Sequence, residues 1–190
     1  MGHNGCGKTT TLRAVAGLEE SDAGHIEVAE GVVVRYVPTD RAVFAELTVR
    51  DNLRLGAGHL PTRTEQDRLE STLLLFPELR TRLDTRAGLL SGGEQRLVAF
   101  AIALMGAPTL LLVDEPTQFL GPTATQRVLA ILRRLSQEEG ISVLMAETNI
   151  GAVAKIADRA YVFANGSVVA EHSGSSLREG GPRSWWRLLT

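Results

Sequence analysis

Two glycines separated by four residues, followed at once by lysine and threonine, open this chain as Gly2-x4-Gly7-Lys8-Thr9. The pattern fits a P-loop. A loop of this kind works where its backbone N–H groups turn inward and the next helix adds its positive dipole end. Leu12, Val15 and Ala16 follow at helical spacing, and Gly17 is a plausible stop. The chain has only two lysines, Lys8 and Lys155, so a lysine at position 8 is informative. Lys8 would sit against the β- and γ-phosphates of a nucleoside triphosphate, and the Thr9 hydroxyl would ligate Mg²⁺. The pattern alone is also met by chance glycine turns.

Strands and helices alternate over the remainder. Residues 25–37 hold short apolar runs, including Val32-Val33-Val34, and read as strands ended by Pro38. Residues 48–90 read as a small helical subdomain, with Thr48 capping a helix from Val49 and Thr64 capping another from Glu65 to Phe76. Ser91-Gly92-Gly93 opens a helix carrying Leu97, Val98, Ile102 and Leu104. Leu110 to Val113 and Ile141 to Ala146 read as strands buried on both faces. Residues 123–139 form a helix with Val128, Leu129, Ile131, Leu132 and Leu135 inward, and Ile150, Val153, Ile156 and Ala157 mark another helical face. Asn165-Gly166 between Tyr161–Phe163 and Val168–Ala170 is a hairpin signal. The expected fold is α/β, a mostly parallel sheet with helices on both faces. One domain spans 1–190, ending in a Gly/Ser-rich tail from Ser173.

Composition narrows the function. A net charge of −2 excludes a strongly basic nucleic-acid binder. One cysteine excludes a disulfide scaffold and a cysteine zinc site. His3, His25, His59 and His172 lack ligand spacing. No apolar run reaches the ~20 residues that span a bilayer, and Met1-Gly2-His3-Asn4 shows no signal-peptide pattern. The expected compartment is cytosolic and reducing. Trp185-Trp186, between Arg183 and Arg187, reads as a packed or frayed end, with a membrane-interface contact as the sharper alternative. Cys6, inside the glycine loop, reads as a small tolerated residue, with a redox role as its alternative.

Two further motifs strengthen the first. The apolar run at 110–113 ends in Asp114-Glu115, which places two carboxylates at the C-terminal end of a strand, where open α/β sheets bind ligands. Asp114 would hold Mg²⁺ through water, and Glu115 would orient or deprotonate an attacking water. Leu90-Ser91-Gly92-Gly93-Glu94-Gln95 exposes backbone N–H groups and a hydroxyl before a helix. Alone it reads as a capping box of Ser91 with Glu94.

In that order the three motifs resemble ABC-type ATPase subunits. LSGGEQ resembles their signature and LLLVDEP their Walker B strand; the likeness runs from Gly2 to about Glu171. The cadence of YVPTDRAVFAELTVRDNL, RAGLLSGGEQ and ETN before IADRAYVFANG is similar to the ATPases of branched-chain amino acid importers. The resemblance implies a P-loop NTPase fold and ATP hydrolysis with Mg²⁺. Gly2, His3, Asn4, Gly5, Cys6, Gly7, Lys8, Thr9 and Thr10 would hold the phosphates. Thr9 and Asp114 would manage the metal, and Glu115 would activate water. Thr148 would contact the γ-phosphate. Ser91, Gly92 and Gly93 would complete the site of a second ATPase subunit, identical or homologous. An integral membrane permease would contact the helical subdomain, which places the chain in the cytoplasm against the inner face of the membrane. No nucleic-acid partner is implied.

The chain also departs from that pattern. Relatives carry a strand and an adenine-stacking aromatic ahead of the P-loop. Met1 stands at the end of where that strand belongs, so the sheet is expected to gain an unpaired, buried edge. A misplaced start and a truncated copy both account for this. Thr39 takes the Q-loop position, where relatives carry Gln or Glu, and is expected to be too short to reach Mg²⁺ in the same way. Thr148 takes the switch position of a His or Gln. Gly121 replaces a usual Asp, and Ile102 a usual Arg. Three readings stay open: an importer ATPase, a catalytically weak partner subunit and an inactive fragment. ABC proteins acting on ribosomes or DNA rank behind these, because nothing here has the size of their second domain or insert.

Overall fold

The computed structural model describes residues 1–40, 42–58 and 60–179. His59 and the Trp185-Trp186 pair lie outside the described residues. Along the chain run α1 (Lys8–Val15), β1 (Val34–Val37), α2 (Val49–Ala57), α3 (Thr62–Leu75), α4 (Pro77–Arg80), α5 (Gly92–Met105), β2 (Leu110–Asp114), α6 (Pro122–Gln137), β3 (Ser142–Ala146), α7 (Ile150–Ile156), β4 (Arg159–Ala164), β5 (Ser167–Ser173) and α8 (Gly174–Glu179).

The three parallel strands lie in the order β1-β2-β3, with Val37 beside Val113 and Asp114 beside Ala146. Alternation along β2 divides the core. Leu111 and Val113 pack with Val98, Phe100 and Met105 of α5 and with Val128, Leu132 and Leu135 of α6. Leu112 faces the other way, against Leu12 of α1 and Ala146. Helices therefore cover both faces of β2, as its unbroken apolar run requires. The five residues expected inward on α6 are all buried.

β4 and β5 form a separate antiparallel hairpin. Its turn places Asn165 at φ 49° and Gly166 at φ 78°, the left-handed pair that a tight hairpin turn demands. Met1 and Gly2 extend along β4. The Phe163 N–H donates to the Met1 carbonyl at 2.7 Å, and Gly2 pairs with Phe163 in parallel. A cavity of about 310 Å³ lies between β3 and β4, lined among others by Met1, Leu144, Met145 and Tyr161.

Four expectations are corrected. Of residues 25–37, only Val34–Val37 form a strand. Ile26 is 46% exposed, and no strand among the described residues lies beside it to pair. β3 is not buried on both faces: Ser142 and Leu144 are exposed, because its outer edge has no partner strand among the described residues. The edge is thus unpaired among the described residues, as expected, but it is not the buried edge expected above. The second subdomain helix begins at Thr62, not Glu65, because extended Pro61 occupies the cap position and its carbonyl accepts from Glu65. The tail expected from Ser173 begins as a helix, Gly174–Glu179, with Leu177 buried in the small core of Met1, Ile150 and Val162.

The loop between β2 and α6 carries a local conflict. Phe119 sits at φ 62° and is 89% exposed, so it takes left-handed strain without burying its ring. Such strain costs a non-glycine residue on the order of 1 kcal/mol. Phe119→Gly is expected to raise the unfolding free energy by about that amount, read as a higher urea midpoint at unchanged slope. An unchanged or lower midpoint would show that the ring is held by contacts.

Candidate active site

The glycine loop is built as its spacing predicts. Gly7, at φ 99°, is the N-cap of α1, a conformation that L side chains rarely adopt. Gly2 is needed for a different reason. A Cβ there would overlap the Phe163 carbonyl oxygen and crowd the Cys6 sulfur. Lys8 is buried, and its Nζ donates to the Gly2 and His3 carbonyls at 2.8 Å each. The same Nζ lies 3.7 Å from Glu115 Oε1. The cation is therefore aimed across the loop at the Glu115 carboxylate, just after β2.

Asp114 is buried and fully engaged. Thr9 Oγ1 donates to it at 2.9 and 3.1 Å, Thr39 Oγ1 at 2.8 Å and Tyr36 OH at 3.4 Å. Burial and the adjacent Asp114 carboxylate push the Tyr36 phenol up to about 12. Thr39, expected to fall short of the metal position, reaches its carboxylate directly. Thr9 and Asp114 converge as an all-oxygen pair with room for retained waters in the adjoining cavity, which suits a small hard cation such as Mg²⁺.

Glu115 follows at φ 46°, a strained backbone that turns its side chain back over the loop. Its Oε2 accepts from both the N–H and the hydroxyl of Thr148 at 3.2 Å. Burial raises its pKa, and the nearby Glu147 carboxylate raises it further; the Thr148 N–H and Lys8 oppose them. A carboxylate so placed is a stronger proton acceptor than one in water.

A cavity of about 330 Å³ joins these groups. Asn4, Gly5, Gly7, Lys8, Thr9 and Thr10 line one side, and Thr39, Glu115 and Gln118 the other. Gly2 and His3 contribute carbonyls to Lys8, and Cys6 is buried with its Sγ 3.9 Å from Lys8 Nζ. Thr148 joins through Glu115. Ser91, Gly92 and Gly93 do not line this cavity. Ser91 instead forms a complete capping box with Glu94, its N–H and hydroxyl donating to Glu94 Oε2 at 2.9 and 2.8 Å. The apolar cavity between β3 and β4 contains none of these candidate residues.

Two buried charges were not singled out in the sequence. The Arg96 guanidinium donates to the carbonyls of Pro38, of Thr39 at 3.4 Å, of Asp114 at 2.6 Å and of Glu115 at 3.3 Å. Its ring-side neighbour is Phe100, at 5.3 Å from the centroid. Its signal was a charge between inward-facing apolar residues of α5. Glu147 lies just after β3, beside Thr148, and was read only as part of the ETN string, with no role of its own.

Comparison with known proteins decides the family. The family described as ABC transporter matches residues 1–118. The chain belongs to it. This ABC ATPase domain is 37% identical over 189 residues to the high-affinity branched-chain amino acid transport ATP-binding protein BraG of Pseudomonas aeruginosa, covering 93% of the chain and 81% of that protein. It is 31% identical over 191 residues to the probable branched-chain amino acid transport ATP-binding protein LivF of Archaeoglobus fulgidus, covering 94% and 81%. Similar identity, 36% over 185 residues, relates it to the molybdenum import ATP-binding protein ModC of Aromatoleum aromaticum, covering 90% of the chain and 49% of that protein. A solved structure described as the ATP-binding subunit of an ABC transporter superposes with a TM-score of 0.82 at 26% identity, covering all of this chain and 85% of the other. The fold is thus that of the P-loop ATPase cassettes, and the activity class is ATP hydrolysis. No helix among the described residues is long and apolar enough to cross a membrane.

Proposed function

We propose that this chain is the ATP-hydrolysing subunit of an importer for branched-chain amino acids. One observation carries the catalytic part: Lys8, Thr9 and Glu115 line one cavity, with Asp114 bonded to Thr9 and Thr148 bonded to Glu115. The loop N–H groups and Lys8 bind the phosphates of ATP. Thr9 and Asp114 would hold Mg²⁺, which would supply neutralisation of the phosphate charge. Glu115 orients a water on the γ-phosphorus and accepts its proton. The new P–O bond forms as the bond to the ADP oxygen breaks. The choice of cargo rests on BraG and LivF, named for branched-chain amino acids. Relatives named for molybdenum import and lipopolysaccharide export share the cassette, so the cassette does not carry cargo specificity by itself.

Ser91, Gly92 and Gly93 stand outside the cavity lined by Lys8, which suits their use in a second subunit's site. The loops before and after α2–α4 expose Phe44, Leu47 and Leu89, the last by 78%. An apolar patch of this kind suits a permease contact. The test is ATPase activity with a branched-chain amino acid permease and its binding protein reconstituted in vesicles. Leucine, isoleucine or valine is expected to stimulate turnover, and molybdate is not. Stimulation by molybdate alone would remove the amino-acid reading.

A second reading, a weak partner subunit, has its own support. The Thr39 hydroxyl is taken up by Asp114 and that of Thr148 by Glu115, and neither has the reach of a long amide. Loss of one transition-state contact costs about 10²–10³ in rate. Turnover by the isolated subunit within a few-fold of its Glu115→Gln variant would favour this reading.

A further inference from the structure

Glu147 is 1% exposed and is a carboxylate beside Glu115 that the reaction described above leaves unused. Its two oxygens are divided between two loops. Oε2 accepts from the Thr117 N–H at 3.2 Å and the Thr117 hydroxyl at 2.8 Å. Oε1 accepts from the Thr148 N–H at 3.1 Å and the Asn149 N–H at 3.0 Å. Thr117 lies on the loop leaving Glu115, and Thr148 and Asn149 on the turn entering α7. The Thr148 N–H is shared with Glu115 Oε2, which also takes the Thr148 hydroxyl.

A buried carboxylate is costly unless its lone pairs are used. Here four donors use them, and all four come from the two segments that flank Glu115. A like charge so close to Glu115 is a further cost, so joining two loops is a poor explanation when neutral groups could do it. What the carboxylate adds is acceptance on both oxygens at once, which a single amide cannot reproduce. Glutamine offers one acceptor and one donor, and its NH₂ would face an N–H on whichever side it is turned.

We propose that Glu147 is a positioning residue for hydrolysis, a bracket that fixes Thr148 against Glu115 and so holds the Glu115 carboxylate toward the attacking water. The proposal rests on the reading of Glu115 as the base. It concerns a residue outside the P-loop, the Asp114-Glu115 pair and the LSGGEQ string.

The test is a double-mutant cycle on the full chain, read as single-turnover phosphate release and as equilibrium ATP binding. Glu147→Gln is expected to lower the hydrolysis rate about tenfold, within the range for directly coupled pairs. ATP affinity should stay within about twofold, because no contact of Glu147 reaches the P-loop backbone. Thr117→Val, which cuts one leg of the bracket and removes little else, should give the same split at smaller size. It also serves if Glu147→Gln fails to fold. In a Glu115→Gln background, neither change should lower the residual rate further. Additive losses in that background, equal losses in binding and rate, or no loss in either single variant would overturn the proposal. If Glu115→Gln itself leaves the rate intact, the reading of Glu115 as the base fails instead.

Discussion

Glu115→Gln is expected to cut ATP hydrolysis about 10²- to 10⁴-fold, the usual contribution of a positioned general base, while ATP binding is retained. The amide keeps the shape and still accepts from Thr148 but takes no proton from water. A second effect, of opposite sign, belongs to the same substitution. Burial and the Glu147 carboxylate raise the pKa of Glu115 in the folded state. The folded protein therefore binds that proton more tightly than the unfolded chain does. Stability from this group is highest at acid pH and declines as pH rises from the ordinary carboxylate pKa through the raised one. Near neutral pH the ionised carboxylate is a net cost, so Glu115→Gln should raise the melting temperature. The gain should vanish in acid, where Glu115 is protonated in both states. Loss of activity together with loss of stability at neutral pH would mean that Glu115 is held by favourable contacts and is not desolvated.

Arg96→Met should destabilise the fold by about 3 kcal/mol or more, the cost of leaving buried polar partners unpaired. Two effects compete. Methionine spares the desolvation of a buried cation, which favours the variant. Yet the guanidinium gathers carbonyls from Pro38, Thr39, Asp114 and Glu115, and methionine has no donor for any of them. The lost donors win because the four carbonyls converge on one buried point. For a chain of this size the melting temperature should fall by roughly 6–12 °C. A fall of less than about 2 °C would contradict this account. Arg96→Lys should fall between, since a single ammonium cannot span both segments. Hydrolysis should drop with stability, because Arg96 ties the segment bearing Thr39 to the end of β2.

The parts of this molecule legible in the sequence are those built from neighbours in the chain. The glycine loop, the Ser91–Glu94 cap, the inward face of α6 and the Asn165-Gly166 turn each rest on residues a few positions apart, and each is present. The parts that were not legible depend on what lies across the sheet. His25 to Val33 reads as strand by composition, but a strand needs a neighbour to bond to. β3 reads as buried because its residues are apolar, but burial depends on what covers its outer edge. The helix over Gly174–Glu179 is held by Leu177 in a core shared with Met1 and Val162, a contact between residues far apart in the sequence. Arg96 and Glu147 are the sharpest cases. Their partners lie between 18 and 58 residues away for Arg96, and 30 residues away for the Thr117 leg of Glu147. A charge on an otherwise apolar helix face was the one local hint for Arg96. For Glu147, beside a polar Thr-Asn pair, there was none. The departures at Thr39 and Thr148 were legible as substitutions, but their consequence was not: both hydroxyls turn to the two acidic residues at the end of β2.

The central claim is that the Gly2–Thr9 loop holds the phosphates of ATP, and calorimetric titration of ATP into the wild-type chain and into Lys8→Ala tests it most directly. Wild type should bind saturably and more tightly with Mg²⁺. Lys8→Ala should lose about 1.5–3 kcal/mol of affinity, the worth of a hydrogen bond to a charged group, which is roughly one to two orders of magnitude in Kd. Failure of the wild-type chain to bind, or equal binding by Lys8→Ala, would contradict the account.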